Sequence, residues 1–294
     1  MMKKMLFLIN PVSGKLALND CLMDVIDIFA KADYEINIHL TQSVDDMVET
    51  AKNDANKYDT IVCCGGDGTL NIVAGALFSC GSKTVIGYIP GGTTNDFANS
   101  RRINTFAPAA AEQIAHGTVR DVDIGQLNGE TFIYVAAFGI FTDVSYQTSR
   151  EMKTNLGHAA YLLEGMKSLV TAKAYPVRIC CDSHEIEGDF IYGMVSNSRR
   201  VGGFEMPIMK STLYDDGEME VCLVRKPKNA VETQKLLNAL VTQTADENMV
   251  YLFKTKNITF ESEQEIPWTL DGEFGGSFTN SEISVKEAAI KMVF

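Results

Sequence analysis

Apolar residues are distributed along the chain in two textures. Up to Asp123, short continuous apolar runs alternate with segments whose apolar residues recur at helical spacing. Met5 to Ile9 predicts a buried strand, Leu18, Leu22, Val25 and Phe29 one face of a helix, and Tyr34 to Leu40 a second strand. Asp46 to Tyr58 has the polar, alanine-containing character of a surface helix; Thr60 to Cys64 is a fully apolar strand, Leu70 to Phe78 a helix, and Val85 to Ile89 another strand. Strand starts about 25 residues apart predict a parallel sheet with helices on both faces, a three-layer α/β arrangement.

Beyond Asp123 the strand candidates become consecutive: Thr131 to Phe138, Val177 to Cys181, Asp189 to Ser196, Glu218 to Val224, Val250 to Phe260 and Ser281 to Val293. Helical patterns interrupt them near Tyr161 to Val170 and Ala230 to Val241. Strands without regular crossover helices predict an antiparallel sandwich or barrel as a second domain. No internal repeat, low-complexity run or proline-rich linker separates the halves, so they are expected to pack closely.

Length and composition agree: 294 residues suffice for two domains, each with its own core. The net charge of -12 is spread over both parts, with 10 basic against 15 acidic residues through Asp123 and 16 against 23 afterwards. Neither part is basic, which argues against nucleic acid as the main partner. Seven cysteines form no C-x-x-C, and the adjacent pairs Cys63-Cys64 and Cys180-Cys181 suit small buried hydrophobes in a reducing cytoplasm. His39, His116, His158 and His184 are isolated, without zinc spacing. The start, Lys3 to Ile9, mimics a signal peptide, but its apolar run ends at Asn10-Pro11 and is better read as a strand. No apolar stretch approaches the roughly 18 residues of a membrane span, so any membrane contact is expected to be peripheral.

Three glycine-containing loops follow predicted parallel strands: Asn10-Pro11-Val12-Ser13-Gly14, Gly65-Gly66-Asp67-Gly68-Thr69, and Pro90-Gly91-Gly92-Thr93-Thr94-Asn95-Asp96. The carboxyl ends of parallel strands share one edge, so these loops can meet in one crevice. Glycines let backbone N–H groups approach an oxyanion, and the last two loops run into helix starts, where free amides and the dipole favour phosphate. Thr69 and Thr93 add hydroxyl donors. Asp67 and Asp96 would repel phosphate unless Mg2+ sits between, as with a nucleoside triphosphate; the alternative is helix capping alone. Neither G-x-x-x-x-G-K-[ST] nor the dinucleotide fingerprint is present, since Asn71 stands where its third glycine belongs.

In the second half, Leu213 to Glu218 and Leu270-Asp271-Gly272-Glu273 contain Asp-Gly, a common hairpin turn. If the first half holds a triphosphate and metal, transfer to an alcohol needs a carboxylate to accept the hydroxyl proton. Asp271 is the candidate base and Glu273 a helper.

At these residues the sequence resembles the diacylglycerol kinase catalytic family of bacterial lipid kinases. The motifs are Asn10 to Gly14, Gly65 to Asn71 (GGDGTLN), Pro90 to Ala98 (PGGTTNDFA), Asp121 to Gly125, Asp215-Asp216-Gly217 and Leu270 to Glu273, in that order across nearly the whole chain. Gly-Gly-Asp-Gly-Thr is shared with NAD kinases and phosphofructokinases; the later motifs are specific. The resemblance implies a nucleotide-binding α/β domain over residues 1–123, joined by a final strand at about 286–294, and a β-sandwich lipid domain over 124–285. It implies an ATP site formed by Asn10, Pro11, Val12, Ser13, Gly14, Thr41, Gly65, Gly66, Asp67, Gly68, Thr69, Leu70, Asn71 and Thr93. Asp67, Asp96 and Asp123 would form the acidic network around catalytic Mg2+, with Asp271 the proton acceptor. A structural Mg2+ would take the Asp216 carboxylate and the backbone carbonyls of Leu213 and Glu218.

The expected reaction is transfer of the γ-phosphoryl of Mg-ATP to a lipid hydroxyl, foremost diacylglycerol giving phosphatidate. The alternatives are an NAD kinase-like small-molecule kinase, which should lack the PGGTTNDFA motif, and a non-catalytic nucleotide or lipid sensor, which would be expected to have lost Asp67 or Asp271. The expected setting is the cytoplasm, at the inner membrane face. Lys15, Arg101, Arg102, Lys167, Arg199 and Arg200 are candidates for contact with anionic lipid, or else scattered solvating groups. Relatives also imply a homodimer.

Overall fold

In a computed structural model of the chain, the residues described are 2–12, 18, 20–140, 169, 171–182, 185–198, 200–201, 204–205, 215–242 and 248–294. The first half alternates as the apolar pattern predicts: β1 (Lys3–Ile9), α1 (Leu22–Lys31), β2 (Tyr34–Leu40), α2 (Val44–Asp54), β3 (Thr60–Gly65), α3 (Asp67–Ser79) and β4 (Val85–Pro90). All of β3 is buried, as its unbroken apolar sequence requires of a strand covered on both faces. β2, β1, β3 and β4 run parallel in that spatial order. Their carboxyl ends therefore lie along one edge.

Two short helices follow, α4 (Asp96–Arg101) and α5 (Ala107–His116); α5 was not anticipated. The second half contributes β5 (Val119–Leu127), β6 (Glu130–Phe132), β7 (Val135–Gly139), β8 (Tyr175–Cys181), β9 (Glu185–Ser196), β10 (Arg200–Val201), β11 (Phe204–Glu205), β12 (Met219–Arg225), α6 (Ala230–Thr242), β13 (Val250–Thr255), β14 (Asn257–Leu270) and β15 (Glu273–Val293). Its larger strands pair antiparallel around a second core. At its centre Trp268 is fully buried, edge-on to Phe138 at 4.9 Å and Phe260 at 5.0 Å, with its indole N–H donating to Ser281 Oγ at 2.9 Å.

The halves are joined through β15. It leaves β14 as a hairpin, pairs with β5, and at Lys291 and Met292 runs parallel to Val85 and Ile86 of β4. The β15–β5 register shifts between Lys286 and Ile290, where Ala288 adopts φ 49°. The Asp123 carboxylate pins this irregularity, accepting from the Ala288 and Gly217 amides at 2.8 Å each.

Two predicted strands are divided in the structure. Thr131 to Phe138 breaks at Ile133-Tyr134, and Val250 to Phe260 breaks at Lys256. The helical pattern at Tyr161 to Val170 falls mostly outside the described residues. All seven cysteines are free thiols; Cys63 and Cys64 are buried, as expected, while Cys180 and Cys181 are half-buried. Among the described residues no helix is long and apolar enough to cross a membrane.

Candidate active site

The predicted loops meet through specific contacts. The Asn10 amide group donates to Thr69 Oγ1 at 3.0 Å, tying the first loop to the second. Gly91 N–H donates to the Gly65 carbonyl at 2.6 Å, and the Asp67 carboxylate accepts from the Asp96 and Phe97 amides at 2.9 and 3.3 Å, tying the second to the third. Thr41 closes the edge from β2, its N–H donating to the Ile9 carbonyl at 3.0 Å. Ser13 and Gly14 lie outside the described residues, whereas Pro11 is exposed and Val12 is 88% exposed beyond the crevice.

Glycine is required here by close approach. A Cβ on Gly92 would lie 2.7 Å from Gly66 Cα and 2.9 Å from Asn95 Oδ1, whereas on Gly91 it would make ordinary contacts from 3.4 Å. Asn95 clasps the loop, accepting from Gly92 N–H at 2.9 Å and donating to its carbonyl at 2.8 Å. Its φ of 51° is one that asparagine tolerates. Gly92→Ala would force the second and third loops apart and is expected to raise the KM for ATP at least ~10-fold, measured by steady-state kinetics, since displacements near 1 Å suffice for such losses.

The cradle fits phosphate. α3 begins at Asp67 with Gly66 as its N-cap and no side chain bonding its first amides, leaving them to an anion. A Cβ on Gly68 would meet nothing within 4 Å, so the surface there is open, and Thr93 is exposed beside it. Leu70 is buried beneath the loop. Asn71 reaches across to the second half, its amide near the Thr131 carbonyl at 3.5 Å, and its Oδ1 is buried without a partner among the described residues.

Opposite this cradle, Asp271 and Gly272 form the two-residue turn between β14 and β15, with φ 51° and 90°. The turn presents a buried carboxylate. Ile133 N–H donates to its Oδ2 at 2.8 Å, and the Tyr134 and Val135 amides to its Oδ1 at 3.0 Å each. This explains the break between β6 and β7: the Ile133 and Tyr134 amides lie between the two strands and, with that of Val135 at the start of β7, hold Asp271. Three donors occupy three of roughly four lone-pair positions of a carboxylate, leaving room for one further proton donor.

Electrostatics couple the two sides. Burial, opposed by amide bonds and reinforced by Asp96, pushes Asp67 from an ordinary 3.8 to about 6. Burial, opposed by its three amides and reinforced by Asp67, pushes Asp271 to about 7. The sequence did not reveal Tyr134. Its phenol, buried at 4% exposure, is raised well above its usual pKa by burial and then by Asp271, Asp67, Asp96 and Glu273. It therefore marks where carboxylates from both halves converge; Glu273 is the exposed member.

Mutually repelling carboxylates beside open amides suit Mg2+ held jointly by one or two carboxylates and phosphate oxygens. Asp67 and Asp96 are the residues placed for it. Among the described residues no three His, Cys, Asp or Glu side chains form a cage of their own. The Asp123 carboxylate accepts from the Gly217 and Ala288 amides, as that of Asp67 does from Asp96 and Phe97, but the acidic neighbours that raise its pKa after burial are Asp216 and Glu287. For the second metal, Leu213 lies outside the described residues, Glu218 N–H donates to Asp216 Oδ1 at 3.2 Å, and Lys254 Nζ contacts Asp216 Oδ2 at 2.7 Å. That ammonium supplies the counter-charge, so Asp216 as placed does not fit a metal ligand.

Comparison with known proteins matches two family models: diacylglycerol kinase catalytic domain over residues 4–127, and YegS C-terminal NAD kinase beta sandwich-like domain over residues 135–294. A diacylglycerol kinase of Bacillus subtilis (strain 168) is 32% identical over 277 residues, covering 94% of this chain and 91% of its own. One from Staphylococcus carnosus (strain TM300) is 31% identical over 288 residues, covering 98% and 94%. A diacylglycerol kinase crystal structure from Bacillus anthracis str. Sterne shares the fold at a TM-score of 0.78 and 24% identity, covering 99% of this chain and 97% of its own.

Proposed function

Because the chain belongs to the diacylglycerol kinase family, and is a lipid kinase that uses ATP, we propose that its acceptor is diacylglycerol and its product phosphatidate. The observation that carries the mechanism is Asp271: a buried carboxylate from the second half, held by three amides and sensing the charge of Asp67 in the first. The glycine loops orient the triphosphate. The acceptor hydroxyl oxygen bonds to the γ-phosphorus as the bond to the leaving ADP oxygen breaks, and the hydroxyl proton passes to Asp271. Mg2+ would neutralise phosphate charge beside Asp67 and Asp96.

A lipid acceptor requires approach to a bilayer. Phe274, 73% exposed and three residues beyond Asp271, supports contact at the mouth of the site. Arg101 lies over the Phe97 and Phe294 rings at 5.2 and 5.9 Å and is thereby occupied in packing. The test supplies radiolabelled ATP with diacylglycerol, a sphingoid base, a polyprenol and NAD in parallel micellar assays. Label is expected in phosphatidate; label confined to another acceptor would overturn this choice.

A further inference from the structure

The Tyr134 hydroxyl ends beside the Asp271-Gly272 turn without a protein hydrogen-bond partner among the described residues, and the residue is only 4% exposed. Its backbone is fixed at both ends. The N–H donates to Asp271 Oδ1 at 3.0 Å, and the carbonyl accepts from Ser196 Oγ at 2.7 Å and Asn197 N–H at 2.9 Å. These bonds aim the ring at the Asp271-Gly272 turn, where the phenol oxygen lies 4.0 Å from the position of a Cβ on Gly272. The ring packs in the main hydrophobic core while its hydroxyl ends at the turn. The hydroxyl is not one of the buried polar atoms left without a partner, so it reaches open space at the turn, where a bound group can meet it.

We propose that Tyr134 is a further catalytic residue whose hydroxyl donates a hydrogen bond to a non-bridging oxygen of the phosphoryl group as it passes from nucleotide to acceptor. This rests on the lipid kinase reading above. Asp67, Asp96, Asp271 and Glu273, when ionised, offer only acceptors; the phenol is a donor set among them. Burial, and then their charges, keep it neutral and protonated across the working pH range. A neutral donor binds a phosphoryl oxygen without neutralising the carboxylates around it, and pre-positioned donors act where charge shifts in the transition state.

The test compares wild type, Tyr134→Phe and Asp271→Asn with ATP and diacylglycerol in mixed micelles, together with thermal unfolding. Tyr134→Phe is expected to lose about 10- to 100-fold in kcat, with KM for ATP and for lipid changed less than about 3-fold, because uniform ground-state binding is not what is removed. Its Tm is expected to equal or exceed that of wild type, which separates lost chemistry from lost structure. Full kcat in Tyr134→Phe, beside an active wild type and a crippled Asp271→Asn, would overturn the role of Tyr134 alone. A loss confined to KM, or accompanied by a lowered Tm, would also overturn it in favour of packing. A wild type that labels no lipid would instead overturn the lipid kinase reading itself.

Discussion

Asp271→Asn is expected to lower kcat on the order of 10²- to 10⁴-fold, the usual worth of a positioned general base, while leaving ATP binding close to wild type. The variant keeps one oxygen to accept from Tyr134 and Val135 but turns an amide group toward the Ile133 N–H, so a modest local cost accompanies the loss of chemistry. In wild type the carboxylate must be ionised to accept a proton. With Asp271 pushed up to about 7, kcat is expected to climb between pH 6 and 8 and to level off above. Stability runs the other way. The folded pKa lies above the unfolded one, so this group's contribution to stability is full below about pH 4 and is lost as pH rises through 7. The unliganded enzyme is therefore expected to lose this contribution progressively between about pH 4 and 7, and Asp271→Asn to show less of that loss. Stopped-time kinetics and thermal melts across pH measure both; an Asn variant within 3-fold of wild-type kcat would remove Asp271 from the base role.

That single side chain also shows what a sequence can and cannot disclose. β1, β3 and β4 were legible because each is a short apolar run ended by glycine or proline, and the loops beyond them share an edge by parallel geometry alone. The turn at Asp271-Gly272 was legible as a hairpin, and it is one; what the letters do not carry is that three amides 136 to 138 positions earlier, at the break between β6 and β7, grip it. Thr131 to Phe138 is uniformly apolar around that break, so periodicity sees one strand. Tyr134 was hidden for the same reason, since an aromatic residue within a strand pattern has the signature of core. Asp123 is hidden in another way: an acidic residue near the end of the first half can serve a metal or hold backbone, and the letters do not show that it accepts from the amides of Gly217 and Ala288.

Asp67→Asn is expected to lower kcat on the order of 10²- to 10³-fold, because it removes a carboxylate facing both the phosphate cradle and the opposing base. The structural cost is limited: the amide oxygen can still accept from the Asp96 N–H, leaving the longer bond from Phe97 as the one lost. Because Asp67 is among the charges that raise Asp271, neutralising it lowers the pKa of the base. The residual activity is therefore expected to keep its plateau to lower pH, with the acid limb displaced toward the ordinary carboxylate range, although its maximum is far below wild type. A lower maximum with an unmoved acid limb would mean that the two carboxylates do not share a field across the cleft. A displaced limb with little loss of kcat would mean that Asp67 tunes the base but does not serve the phosphates. The amplitude and the position of the pH profile thus report separately on the two jobs that one aspartate, set between a glycine turn and a helix start, is placed to perform.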